Sequence, residues 1–159
     1  MDIHDIARVA KTYAVQGFYI VNPIEEQRKM AGEIIRHWRN GYGASFNEDR
    51  RTAFELVHVR ENLQGVIDDI GAKEKCLPKM IVTGANFSGE VVKFNELQKI
   101  LQNDPSPYLL VFGTGSGIAD EICKLAFYRL EPIKGIKDYN HLSVRSAVAI
   151  ILDRLTGVD

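Results

Sequence analysis

LLVFGTGSGIADE, residues 109–121, leads from a short apolar run through a glycine-rich turn into a helical pattern. Gly113, Gly115 and Gly117 allow the backbone to approach a ligand closely, and the first N–H groups of the following helix are free to bind it. Such a turn between a strand and a helix is typical of α/β folds. The stretch therefore predicts a ligand-binding turn at the carboxyl end of a strand.

The same alternation of strand and helix patterns extends along the whole chain. It predicts an α/β fold with a mostly parallel sheet and helices on both faces. No linker or repeat interrupts the alternation, so residues 1–159 are expected to form a single domain. The predicted strands are FYIV (18–21), LVHV (56–59), KMIVT (79–83), YLLVF (108–112) and FYRL (127–130).

Helix boundaries are marked by glycines and by polar capping residues. The first helix is expected to end at Gly17. The second is expected to begin after Asn22, a good capping residue that precedes a proline, and to end at Gly41. Residues 42–49, YGASFNED, are predicted to form a loop ahead of a short helix.

The composition is that of a globular protein, with 45% hydrophobic and 26% charged residues. No apolar run approaches the roughly 18 residues of a membrane span, and the acidic start of the chain does not resemble a signal peptide. A cytoplasmic location is therefore expected. Cys76 and Cys123 form no C-x-x-C pair, so neither zinc nor a redox dithiol is predicted. The net charge of −1 gives no general attraction to nucleic acid.

The glycine turn invites comparison with the dinucleotide fingerprint G-x-G-x-x-G/A, with Glu131 placed as the ribose-binding acid. The fingerprint fails at its third position, which is Ile118 when counted from Gly113 and Asp120 when counted from Gly115. Too little chain follows to build the second half of a dinucleotide-binding sheet. A nicotinamide enzyme is therefore a weaker hypothesis, and a tight turn without a ligand is another alternative.

A second irregular segment follows the next predicted strand. It comprises Glu131–Gly135 and Asp138–Ser143 and leads into the final helix. Loops that leave the carboxyl ends of neighbouring parallel strands can converge on one ligand. The pairing of the two loops is more specific than either loop alone.

These loops resemble the cofactor-binding motifs of the SPOUT class of S-adenosylmethionine-dependent RNA methyltransferases. VFGTGSGIADEI (111–122) resembles the second motif of that class, and PIKGIKDYNHLSVRSAVAI (132–150) resembles the third. DIARVA (5–10) is similar to the helix of the first motif. A small bacterial group in the class shares DIHDIAR, FGTG and DYNHLSVR with this chain. The resemblance implies a C-terminal trefoil knot that holds S-adenosylmethionine.

The resemblance also implies which residues form the cofactor pocket, largely through their backbone groups. Apolar Ile133 and Leu142 would flank the adenine, although both could equally be ordinary core residues. Thr83 could instead be a turn residue at the end of a strand. The implied pocket residues are Thr83, Gly113, Thr114, Gly115, Gly117, Ile133, Leu142 and Ser143.

Two residues are candidates for catalysis by position in these motifs. Arg8 lies where the family places an arginine that faces the transferred methyl group, and its guanidinium stays charged. Arg8 could equally form a weak ion pair with Asp5 on an exposed helix face. Ser143 is the second candidate, and its alternative role is to cap the final helix.

A cluster of cations and aromatic residues lies at the end of the second helix, in residues 36–43, with Arg50 and Arg51 shortly after, and resembles an RNA-facing surface. The simpler alternative is a solvated helix end, with Trp38 packed on the core. The candidate RNA-binding residues are Arg36, Arg39, Arg50 and Arg51.

The final helix has a wider apolar face than a surface helix needs, and SPOUT enzymes usually form homodimers through this region. A homodimer would also let Arg8 of one subunit approach the cofactor of its partner. Complete burial of the helix within a monomer is the alternative.

Departures from the best-known ribose-methylating members leave the acceptor open. The glutamate of their second motif and the asparagine of their third are absent at the mapped positions, and the family strand before the first helix is also missing. The chain is therefore expected to methylate a ribose or base in tRNA or rRNA, without a metal. The alternative is an inactive dimer that binds S-adenosylmethionine or RNA.

Overall fold

The computed structural model describes residues 2–137 and 139–158. The chain divides into two compact units, Met1–Asp69 and Ile70–Asp159, which are called the N-terminal unit and the C-terminal unit below. Each contains parallel strands connected by helices. The predicted α/β class with parallel strands is therefore confirmed.

The N-terminal unit contains one pair of parallel strands and the helices around it. Its strands pair in register from Phe18 opposite Val57 to Val21 opposite Arg60. In chain order the elements are α1 (Asp2–Thr12), β1 (Phe18–Val21), α2 (Glu25–Asn40), α3 (Tyr42–Phe46), α4 (Glu48–Phe54), β2 (Val57–Arg60) and α5 (Leu63–Glu74), which contains the boundary to the next unit.

The first helix ends earlier than predicted. It stops at Thr12 and not at Gly17, and Ala14 takes a left-handed backbone conformation with φ of 54°. The N–H of Val15 then bonds to the Ala10 carbonyl at 2.9 Å. This bond satisfies a carbonyl of the last turn, so the helix is closed without glycine.

The second helix ends at Gly41 as predicted, but it begins later than predicted. The N-cap position is occupied by Ile24 and not by Asn22. The Asn22 side chain instead accepts a hydrogen bond from the Ile24 N–H at 2.9 Å, just before the helix. The segment predicted as the loop YGASFNED instead contains α3 and the start of α4. Asn47 separates these two helices and caps α4 by accepting from the Arg50 N–H.

Aromatic and small residues form the core of the N-terminal unit. Ala7, Ile35, Phe54 and Val57 are buried together, and Trp38 packs against them. Trp38 therefore packs on the core, which was the sequence-based alternative to an RNA-facing surface.

The C-terminal unit contains a three-stranded parallel sheet in the order β4-β3-β5. Its core joins the sheet to two helices, through Ile81, Leu97, Leu130, Ile151 and Leu155. The elements that follow α5 are β3 (Lys79–Val82), α6 (Phe94–Asn103), β4 (Tyr108–Val111), α7 (Asp120–Leu125), β5 (Tyr128–Arg129) and α8 (Val144–Thr156). No helix in the described ranges is both long and apolar enough to cross a membrane.

Candidate functional site

The three strands of the C-terminal unit end side by side, so the residues after them share one edge of the sheet. Thr83 follows the central strand and is buried. Its Oγ1 donates to the Val111 carbonyl at 2.9 Å, and its N–H bonds to the same oxygen at 3.1 Å. Thr83 therefore fixes the end of β3 to the end of β4, and its hydroxyl oxygen can still accept a hydrogen bond.

The glycine-rich turn after β4 is closed on itself. The Gly117 N–H bonds to the Thr114 carbonyl at 2.7 Å, and Gly117 has a φ of +77°. A Cβ at Gly113 would lie 2.4 Å from the Gly117 carbonyl carbon. Any side chain at position 113 would therefore clash with backbone, which explains glycine at both ends of the turn.

Gly115, at the tip of this turn, has a different environment. It is exposed, and among the described residues no atom beyond its two chain neighbours lies within 4 Å of the position that a Cβ would occupy. The turn does not need glycine here for its own closure. Its backbone is therefore open to close approach by a ligand.

The segment after β5 packs partly on the core. Ile133 is half-buried against the core of the C-terminal unit. Glu131, the candidate ribose-binding acid of the dinucleotide hypothesis, accepts from the Phe94 N–H at 2.8 Å. This bond ties the carboxylate to the start of α6 and gives it a role in the fold. Asp138 of the predicted loop lies outside the described residues.

A hydrogen bond joins the loops that follow β3 and β5. The Asn140 amide nitrogen donates to the Ala85 carbonyl at 2.7 Å. The Thr83 bonds to Val111 join the same edge to the last residue of β4, from which the glycine turn departs. The structure thus links two of the segments that the sequence placed at one edge of the sheet, those after β3 and β5.

Leu142 and Ser143 lie at the start of α8. Leu142 is 43% exposed, so the side chain retains apolar surface that a ligand could cover. Ser143 caps α8 by accepting from the Ser146 N–H at 3.3 Å, and its Oγ lies 2.8 Å from the Ser146 Oγ. The capping role that the sequence allowed for Ser143 is confirmed.

The most perturbed pKa values of the C-terminal unit occur at the other end of its strands. Hydrogen bonds from Lys79, Ser106 and Tyr108 hold the pKa of Asp104 well below its ordinary value. The bond to Asp104 raises the pKa of Lys79, while burial and then Asp104 raise the pKa of Tyr108. Lys79 and Tyr108 begin β3 and β4, so this network stabilises the amino ends of the strands. Within residues 2–137 and 139–158, no group of three or more metal-ligating side chains occurs.

In the N-terminal unit, Arg8 lies in an open surface cavity of about 420 Å³. It is exposed on α1, where DIARVA placed it. Arg50 lines the same cavity, and its guanidinium lies 4.5 Å from the Trp38 ring centroid. The sequence did not single out the other lining residues, which include Lys11 and Thr52. Lys11 could have been found, because it follows Arg8 by one helical turn.

The other candidate RNA-binding arginines occupy three different settings. Arg39 donates to the backbone carbonyls of Phe54, at 2.8 Å, and of Glu55, at 3.1 Å, and also to that of Val57. Arg51 forms an exposed ion pair with Glu48. Arg36 is exposed and lines a separate open cavity of about 450 Å³. Arg39 is thus committed to the fold, whereas Arg36 is accessible.

A sequence model of the family described as SAM-dependent RNA methyltransferase matches residues 1–157 of this chain. The chain belongs to that family. The family is S-adenosylmethionine-dependent, so the predicted cofactor and the resemblance to RNA methyltransferases are confirmed.

Full-length similarity to two bacterial proteins supports this membership. A protein of Oleidesulfovibrio alaskensis named tRNA (guanine-N(1)-)-methyltransferase is 40% identical over 157 residues, which are 99% of this chain but 36% of that relative. An uncharacterised protein of Aquifex aeolicus is 42% identical over 155 residues, covering 98% of this chain and 76% of its own length. The family member described here thus spans about a third of the length of the named relative.

Solved structures with the same fold include several methyltransferases. TrmJ from Z. mobilis gives a TM-score of 0.64 at 16% identity and covers 99% of this chain and 64% of its own. The A. aeolicus TrmH/SpoU tRNA modifying enzyme gives 0.59 at 19% identity, covering 98% and 67%. An AdoMet-bound rRNA methyltransferase from Sinorhizobium meliloti gives 0.60 at 15% identity, covering 97% and 50%. At these identities the likeness concerns the fold, which is that of SPOUT methyltransferases.

Proposed function

We propose that this chain binds S-adenosylmethionine at the carboxyl edge of the β4-β3-β5 sheet and transfers its methyl group to an RNA nucleotide. The observation that carries the proposal is the hydrogen bond between the loops after β3 and β5, beside the glycine turn of β4 with Gly115 open at its tip. The proposed pocket residues are Thr83, Gly113, Thr114, Gly115, Gly117, Ile133, Leu142 and Ser143.

The chemistry of these residues fits such a ligand. Exposed backbone at Thr114 and Gly115 can exchange hydrogen bonds with polar groups. Partly exposed apolar surface on Ile133 and Leu142 suits an aromatic base such as adenine. Bound S-adenosylmethionine supplies a methyl group that its sulfonium makes electrophilic, so the protein needs mainly to align an acceptor and receive one proton.

Arg8 and Ser143 are the proposed catalytic residues. A guanidinium keeps its charge and can stabilise an oxygen or nitrogen that loses its proton. Ser143 adjoins the proposed pocket but already caps α8. Arg8 is therefore the stronger candidate, because its side chain is exposed.

The proposal also includes a trefoil knot, a homodimer and a cytoplasmic location. The SPOUT-like fold supports a trefoil knot in the C-terminal unit. Ile136, Tyr139 and Leu142, before α8, are exposed apolar residues and support a homodimer through this region. A cytoplasmic location would follow from action on tRNA or rRNA.

The RNA target is proposed only as a class. The guanine N1 activity in the name of the Oleidesulfovibrio relative can reside in the part of that protein that this chain does not match. The acceptor on RNA is thus a ribose oxygen or a base nitrogen. Arg36, Arg50 and Arg51 are the proposed RNA contacts, while the three carbonyl bonds of Arg39 favour a structural role.

Transfer of a labelled methyl group from S-adenosylmethionine to bulk cellular RNA tests the proposal. The parent is expected to label RNA, and Arg8→Ala is expected to reduce labelling by about a hundredfold, the scale of one lost transition-state contact. Lys29→Ala, which removes an exposed cation of α2 with no role in the proposed site, is the matched control. A chain that binds S-adenosylmethionine but labels no RNA is the inactive binding protein.

A further inference from the structure

The cavity of about 420 Å³ in the N-terminal unit has a strongly cationic lining. Arg8 and Lys11 line it from α1, and Arg50 lines it from α4. Asp49 is the carboxylate among its lining residues. Three cations against one carboxylate create a positive surface, which attracts anions.

Arg50 is held in place by its neighbours but lacks a full set of hydrogen bonds. Its guanidinium stacks 4.5 Å from the Trp38 ring centroid. Its Nε is buried, and no hydrogen-bond partner for this atom occurs in the described part of the chain. Burial, and after it the positive charge of Arg50, lowers the pKa of nearby His4. An unpaired buried donor is costly, so the hydrogen-bonding capacity of Arg50 is not fully satisfied within the fold.

The polar side chains around the cavity are already engaged within the fold. Thr12 Oγ1 donates to the Arg8 carbonyl and Thr52 Oγ1 donates to the Asp49 carbonyl, each at 2.9 Å. Asn47 Oδ1 accepts from the Arg50 N–H. The side-chain donors with hydrogen-bonding capacity left for a ligand are therefore the three cations and the Asn47 amide nitrogen. This arrangement fits a multivalent anion such as phosphate and provides little to read a base.

We propose that this cavity binds a phosphodiester group of the RNA substrate, with Lys11 and Arg50 as its principal contacts. The inference rests on the proposed function, since it takes RNA as the substrate. Phosphate contacts position an RNA without specifying its sequence. Lys11 and Arg50 thus hold the RNA backbone against α1, the helix that carries Arg8.

The test measures binding of a fluorescent single-stranded RNA to the full chain by anisotropy, between about 50 and 200 mM salt. Lys11→Gln is the test variant, because Lys11 is exposed and its replacement should not disturb folding. Lys29→Gln removes an exposed cation of α2, paired with Glu25, and is the matched control. Loss of one phosphate contact should reduce the slope of log K against log salt by about 0.7 in Lys11→Gln. Lys29→Gln should keep the parent slope.

Trp38 provides a second readout, because it is the single tryptophan of the chain and Arg50 stacks on it. RNA should change its fluorescence in the parent, and Lys11→Gln should need several-fold more RNA for the same change. If only inorganic phosphate changes the fluorescence, the cavity is a site for free phosphate and the RNA contact is wrong. If the parent binds RNA and Lys11→Gln keeps its slope, the site alone is overturned. If the parent binds no RNA, both the phosphate site and the proposed function are wrong.

Discussion

The Asn140 side-chain amide donates to the Ala85 carbonyl at 2.7 Å and joins the loop after β5 to the loop after β3. Because both loops belong to the proposed pocket, this bond should preorganise it. Asn140→Ala is expected to weaken S-adenosylmethionine binding by about fivefold, which corresponds to one net hydrogen bond of about 1 kcal/mol. Calorimetric titration measures this change.

Asn103→Ala is the control for that experiment. The Asn103 amide also donates to a backbone carbonyl, that of Lys99, at 2.7 Å, but lies at the end of α6. This variant should bind S-adenosylmethionine as the parent does. Equal affinities for Asn140→Ala and the parent would show that the loop contact does not organise the site.

The buried Thr83 hydroxyl should contribute to stability as well as to the site. Thr83→Val removes its bond to the Val111 carbonyl, which still accepts from the Thr83 N–H. The free energy of unfolding is expected to fall by about 1 kcal/mol. Thr83→Ser keeps the hydroxyl and should retain the hydrogen bond. Urea unfolding compares the variants. A valine variant as stable as the parent would show that this hydrogen bond does not stabilise the fold.

Arg39 should matter for folding rather than for RNA. Arg39→Gln leaves the Phe54, Glu55 and Val57 carbonyls without their guanidinium donor, so the free energy of unfolding should fall by about 2 kcal/mol or more. Arg36→Gln, at an exposed position, should change it by less than about 0.5 kcal/mol. Urea midpoints at unchanged m-value measure both changes. Similar midpoints for the two variants would contradict the structural role.

The Asp104 network should make stability depend on pH at both extremes. The lowered pKa of Asp104 contributes stability above its ordinary value of 3.8, and that contribution is lost as pH falls towards the folded pKa. The raised pKa of Tyr108 contributes stability below 10.0, and this is lost as pH rises beyond that value. Asp104→Asn should flatten the acid limb of a plot of Tm against pH, and the alkaline limb only in part because burial is the larger cause of the raised pKa of Tyr108. Unchanged limbs would show that other groups dominate.

The glycine turn and the parallel strands could be predicted because their causes are local. A side chain at Gly113 would clash with backbone, and Gly117 has a positive φ that other residues rarely adopt. The apolar runs in the same part of the sequence specify buried strands. The end of α1 could not be predicted in the same way. Ala14 takes a conformation that glycine usually supplies, supported by the bond from Val15 to Ala10.

The candidate RNA contacts illustrate a second limit of sequence reasoning. Arg36, Arg39 and Arg50 are all cations near one aromatic segment, and composition cannot distinguish them. Folding places Arg39 against backbone carbonyls and Arg50 against Trp38, in a cavity shared with Arg8. These contacts join residues far apart in the chain, so only the tertiary structure separates their roles.

Calorimetric titration with S-adenosylmethionine tests the central claim most directly. Gly115→Leu fills the open space at the tip of the glycine turn, while Gly32→Leu adds the same side chain where nothing lies within 4 Å on α2. The parent and Gly32→Leu should bind with the same Kd, NAD should give no heat, and Gly115→Leu should bind at least about tenfold more weakly. No heat with the parent, or equal affinity in Gly115→Leu, would contradict a cofactor site at this edge of the sheet.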